Sequence, residues 1–199
     1  MSTSQRIVEP DEGPSGAEQL GRVVPTLAAY VAKVAPSDLR LSTPCAGWTT
    51  RDLLNHVVGG AEMFAGALRG GPLHAISGRQ PDVVGSDPFG AFERAATTFG
   101  QAAEQPGSME RILNLPVGTM TGQTFLRYAA FDLLVHTWDL ATTLGDDLEV
   151  PDEVVEPCER FARQVLAELP RDGVDFAAAV EPPPAADAMA RLAYTGRTA

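Results

Sequence analysis

The side chains best suited to chemistry sit in the stretch TGQTFLRYAAFDLLVHTWDLATTL, which runs from Thr121 to Leu144. Tyr128, Asp132, His136 and Asp139 follow one another there at spacings of four, four and three. On an α-helix these positions share one face. Phe125, Ala129 and Leu133, or Phe131, Val135 and Trp138, give the same helix an apolar side, so the Asp132 face adjoins buried surface rather than opposing it. A carboxylate and an imidazole one turn apart and turned inward need a partner, because burying them unpaired costs several kcal/mol. A divalent cation is one of the few partners that satisfies both.

By itself, an Asp four residues before a His is common, and it marks an exposed pair or a satisfied core histidine more often than a metal site. His56 shifts that balance. It belongs to a different helical segment, PCAGWTTRDLLNHVVGG, within an inward stripe of Leu53, His56, Val57, Gly60, Ala61 and Phe64. Helices packed in a bundle can bring such residues to one point. Two imidazoles and one carboxylate, here His56, His136 and Asp132, are the usual protein set for a catalytic zinc, with a position left open for water or substrate. Mixed nitrogen and oxygen sites hold nickel, iron or manganese equally well. Tyr128 and Asp139 share the face and are expected to orient the ligands, a bound cofactor or substrate, although hydrogen bonding within the fold accounts for them equally well. No residue is assigned as catalytic. Cys45 precedes a helix start, where thiolates are favoured, but a buried structural role is the simpler expectation. His74 reads as a solvent-facing imidazole, Cys158 as core, and Trp138 as packing between helices.

The elements that must position these groups are helical. A polar arm over residues 1–15 precedes a first amphipathic helix from Gly16 to about Ala35, in which Pro25 should cause a bend or a later start. The second helix starts at a capping box formed by Thr49 and Asp52, with Trp48 and Leu53 as a hydrophobic staple, and runs to about Leu68. Gly59 and Gly60 within it should let another helix or a ligand come close. Arg69 to Ser86, rich in Gly and Pro, reads as a mobile loop. Asp87 caps a third helix with Pro88 in its first turn, and RILNLPVGT forms a short extended segment or hairpin edge. The fourth helix is the one described first, and Pro151–Leu169 is a fifth. The domain plan is thus an arm over 1–15, a helical bundle over 16–169, and a tail over 170–199 that carries a proline run and a short helix.

Composition excludes several classes of function. The chain has 199 residues, enough for one domain with a proper core. Its formal net charge of -11, with no basic cluster, argues against nucleic acid or an anionic membrane surface as partner. No apolar run is long enough to cross a bilayer, and the N-terminus lacks a secretory pattern, so a soluble cytoplasmic protein is expected. The two cysteines form no CxxC, which excludes a zinc ribbon or a dithiol redox motif. A homodimer is conceivable through apolar surface on the first helix and the tail.

PCAGWTTRDLLNHVVGG followed by FDLLVHTWDLATTLG resembles the DinB-like superfamily of metal-binding four-helix bundles. Within it, the chain is similar to the actinobacterial group related to mycothiol-dependent maleylpyruvate isomerase. The similarity covers roughly residues 16–144 and extends to RLAYTGR near the end. It implies an all-α, DinB-like four-helix bundle with an additional C-terminal helix and tail. It also implies metal ligation by a histidine early in the second helix and by an acid/His pair on the fourth, roles that fall on His56, Asp132 and His136. The isomerase carries a Glu where this chain has Asp132, and the shorter side chain must still reach the ion. The isomerase also has a further C-terminal domain where only a tail is expected here, so its own reaction does not carry over. What the resemblance implies is a thiol cofactor such as mycothiol, activated on a divalent metal with zinc the first choice, and an electrophilic small-molecule substrate. The activity expected is S-transfer or isomerase-like chemistry. The alternative is a non-catalytic, metal-stabilised bundle that binds a small molecule or a protein partner.

Overall fold

The structure is a computed structural model that describes residues 13–72, 80–115 and 118–166. Most of the expected arm, His74, Pro116 and the tail with its short helix lie outside the described residues. The order of elements is α1 (Gly16–Lys33), α2 (Thr50–Leu68), α3 (Pro88–Ala103), β1 (Ile112–Leu115), β2 (Gly118–Thr121), α4 (Gly122–Thr143) and α5 (Asp152–Leu166).

α1 to α4 each start where a side chain can take up free backbone N–H groups. Ser15 and Glu18 form a reciprocal capping box on α1, and Thr49 and Asp52 do the same on α2. The Asp87 carboxylate accepts from the Gly90 N–H with Pro88 in the first turn of α3, and Thr121 accepts from the Thr124 N–H at the start of α4. Pro25 neither delays nor ends α1, which begins at Gly16 as the capping box dictates. The proline sits on the exposed face, where the carbonyl one turn back can turn to water instead.

The segment RILNLPVGT becomes the antiparallel pair β1 and β2, with Leu113 opposite Met120 and Asn114 opposite Thr119. It leads straight into α4, so Leu113, Leu115 and Met120 cover the start of that helix from one side.

Four helices close a ring in the order α1, α4, α2, α3, with α5 laid over α4 and α1. The interior forms two apolar clusters. One gathers Phe99, Leu113, Met120, Phe125, Phe131, Leu134 and Phe161, and the other Leu27, Val31, Leu53, Leu54, Val57, Phe92 and Leu140. Leu133 and Ala61 touch both clusters and join them. α4 therefore has no single wet side: Phe125, Ala129 and Leu134 are buried, and so are Arg127, His136 and Asp139. Polar side chains in such a position persist only where the fold supplies partners.

The expected place of close approach changes. A Cβ added at Gly59 would meet nothing within 4 Å, so no helix crosses α2 at that point. The tight crossing lies at Gly16, where a Cβ would come within 2.6 Å of the Arg127 nitrogen and of the Leu126 Cβ, so the start of α1 lies directly against α4. The return leg of the loop between α2 and α3 is anchored by side chains of α2. The side-chain oxygen of Asn55 accepts from the Val83 and Val84 N–H groups at 2.8 and 3.0 Å, and Arg51 reaches Asp82 and the Gly85 carbonyl.

The large apolar side chains exposed among the described residues are Leu41, Val83, Phe89 and Ile112, none of them on α1. Among the described residues no helix is long and apolar enough to cross a membrane.

Candidate metal site

The site forms where α2 and α4 face each other. α4 carries Asp132, His136 and Asp139 on successive turns, and the α2 capping box sets the phase that turns His56 toward them. The ring centroids of His56 and His136 lie 4.9 Å apart at 72°, and the Trp48 indole packs against His56 at a tilt with centroids 5.0 Å apart. Trp48 thus does more than staple the helix start.

His136 is 5% exposed and has a carboxylate on each ring nitrogen. Its Nδ1 lies 3.0 Å from Oδ2 of Asp139, which is fully buried, and its Nε2 lies 3.6 Å from Oδ1 of the half-buried Asp132. Burial on its own would drive this imidazole toward the neutral form. The charge of Asp132, then the hydrogen bonds with Asp139 and Cys45, outweigh burial and raise its pKa from 6.5 to about 10.

Cys45 makes a contact that sequence reasoning did not foresee. It is half-buried rather than sealed in the core, and its Sγ donates to Oδ2 of Asp139 at 3.3 Å. The turn that holds it is tied at several points. The Cys45 N–H donates to Thr43 Oγ1, the Trp48 N–H to the Cys45 carbonyl, and the Thr43 N–H to the Trp48 carbonyl. Cys158, by contrast, is buried in the core as expected, and desolvation pushes its thiol up to about 12.

Two overlapping donor sets result, each with ligand atoms within 4.8 Å of one another: His56, Asp132 and His136, and Cys45, His136 and Asp139. They share one imidazole, whose Nε2 lies by Asp132 and whose Nδ1 lies by Asp139. The chain therefore has a candidate metal site built from His, Asp and Cys side chains. One donor pair of the first set has the spacing that a bound cation needs. Ligands about 2.1 Å from a tetrahedral ion stand about 3.4 Å from each other, close to the 3.6 Å between His136 Nε2 and Asp132 Oδ1. In the second set, Asp139 Oδ2 already takes hydrogen bonds from both of the other members. Tyr128, one turn before Asp132, packs its ring beside Phe125 and Phe131, with centroids 6.3 Å from each.

The raised pKa sets a testable sign. In the metal-free protein the protonated His136 contributes stability that is fully present below pH 6.5 and is lost as pH rises through about 10. A cation must displace that proton, so uptake near pH 7 should release about one proton per ion, and affinity should rise with pH. Calorimetry in buffers of different ionisation enthalpy measures the release. A heat independent of the buffer would contradict it.

Comparison with known proteins adds the following. The sequence profile described as the mycothiol maleylpyruvate isomerase N-terminal domain matches residues 20–141. Two uncharacterized proteins, from two strains of Mycobacterium tuberculosis, are each 33% identical over 181 residues, covering 89% of this chain and 94% of their own length. The crystal structure of mycothiol-dependent maleylpyruvate isomerase superposes with a TM-score of 0.54 at 14% identity, covering 71% of this chain and 67% of that one. A histidine-to-alanine mutant of the same isomerase gives a TM-score of 0.56 at 12% identity over the same shares.

Proposed function

The chain belongs to the mycothiol maleylpyruvate isomerase N-terminal domain family, with its DinB-like helical fold, and from that premise we propose that it binds a divalent metal and acts as a mycothiol-dependent S-transferase or isomerase-like enzyme on a small electrophile. The observation that carries the reading is the convergence of His56, Asp132 and His136 from two helices, with donor atoms within 4.8 Å.

His56 from α2 and His136 and Asp132 from α4 are the ligands on this reading, and Asp139 is the support behind them. By accepting from Nδ1, Asp139 fixes the ring orientation of His136 and leaves Nε2 as the nitrogen that faces Asp132. Trp48 packs against the His56 ring and limits its freedom to swing away from its place beside His136. A divalent cation held there, zinc in the first instance, supplies Lewis acidity that favours the thiolate of a coordinating thiol at neutral pH. His56 and Asp132 are half-buried, so a small thiol can approach the site from their side while His136 and Asp139 stay sealed from solvent.

Isothermal titration of mycothiol into zinc-loaded protein tests the reading. Saturable heat that disappears in the metal-free protein is the expected result. No heat, together with no turnover of generic electrophiles, would favour a metal-stabilised bundle without thiol chemistry. Metal analysis of the freshly purified protein separates both from a bundle in which the three side chains serve only one another.

A further inference from the structure

A feature that the metal reading does not use is the thiol of Cys45. It comes from the tied turn ahead of α2, yet its hydrogen bond falls on α4, 94 residues later, on the same Oδ2 of Asp139 that receives His136 Nδ1. A single carboxylate oxygen thus takes two hydrogen bonds from two different parts of the fold. Asp139 is 0% exposed, so no bulk water competes for that oxygen.

We propose that Cys45 is a positioning residue of the metal site: its thiol, held by the Thr43–Trp48 turn, locks the rotamer of Asp139 and through it the ring of His136. This rests on the metal reading above for its ligand, although the contact itself stands without any ion. The physical basis is that hydrogen-bonded partners behind a histidine ligand set its tautomer and orientation and contribute to metal affinity. Cys45 extends that arrangement by one member, from Nε2 through Nδ1 and the Asp139 carboxylate to the thiol. It also ties the α2 side of the site, with Trp48 and His56, to the α4 side. Its Sγ belongs to a half-buried side chain whose backbone N–H and carbonyl are both taken up within the turn, so the turn fixes where the side chain starts and the hydrogen bond to Asp139 sets where its thiol points. Cys158 cannot take over this role, because its thiol lies in the core beside Gln19.

The test compares Cys45→Ala with Cys45→Ser, since serine restores an O–H donor of similar size. Zinc affinity, measured by competition with a chromophoric chelator, should fall about 10-fold in Cys45→Ala and stay within about 3-fold of the parent in Cys45→Ser. The visible spectrum of the cobalt-loaded protein should change in the alanine variant and return with serine, which a simple loss of packing would not produce. In the metal-free protein, the long-range proton–nitrogen NMR pattern of His136 should be sharp in the parent and in Cys45→Ser, and exchange-broadened in Cys45→Ala. If the NMR pattern follows this order while even the parent takes up no metal, the metal reading fails and the positioning role stands. Equal affinity, cobalt spectrum and NMR pattern in all three proteins would overturn the proposal, and so would a serine variant that behaves like the alanine one.

Discussion

Replacing His56 by alanine is expected to weaken zinc binding by at least about 100-fold while the helical bundle stays folded. His56 is the ligand that α2 contributes to its donor set. Without it, the remaining members of that set, Asp132 and His136, lie one turn apart on a single helix and grip a cation from one side only. Folding should survive because α2 is held by Leu53, Leu54, Val57 and Val58, each no more than 4% exposed, and the half-buried imidazole adds little to that packing. The measurement is chelator competition on the parent and the variant, with circular dichroism as the control for folding. Affinity within about 3-fold of the parent would place the cation elsewhere. A variant that unfolds would assign the ion a structural role.

Phe125→Ala is expected to cost about 3–5 kcal/mol of stability. Phe125 is 0% exposed and meets Phe64 edge to face with centroids 4.6 Å apart, so truncation leaves a cavity between α2 and α4. The hairpin residues and the α5 residues of the same apolar cluster cannot close it without moving β1, β2 or α5. Urea unfolding of the two proteins gives the difference. A loss below about 1 kcal/mol would mean that this end of the bundle relaxes into the space.

Much of this architecture was legible in the chain because local signals agreed with the fold. Thr49 with Asp52, and Asp87 ahead of Pro88, each mark a helix start by a side-chain contact within three residues, which needs no tertiary knowledge. The face shared by Asp132, His136 and Asp139 follows from helical period alone. What stayed hidden depends on distant partners. The contact of Cys45 with Asp139 spans 94 residues, and no local pattern distinguishes it from a core cysteine. The close approach at Gly16 was invisible for the same reason, whereas the paired glycines of α2 suggested one that Gly59 does not make. Asn55 was the missed clue to the anchored loop: an amide beside Leu53, Leu54, Val57 and Val58 and only 3% exposed implies backbone groups nearby that it must serve.

Because α2 and α4 are neighbours in the ring but far apart in sequence, with α3 and the hairpin between them, an ion gripped by both would act as a rivet across the whole fold. Its occupancy would then register as heat tolerance. Free cation at 100 times its dissociation constant would add about 2.7 kcal/mol, so the melting temperature of this protein should track the ion content of its surroundings.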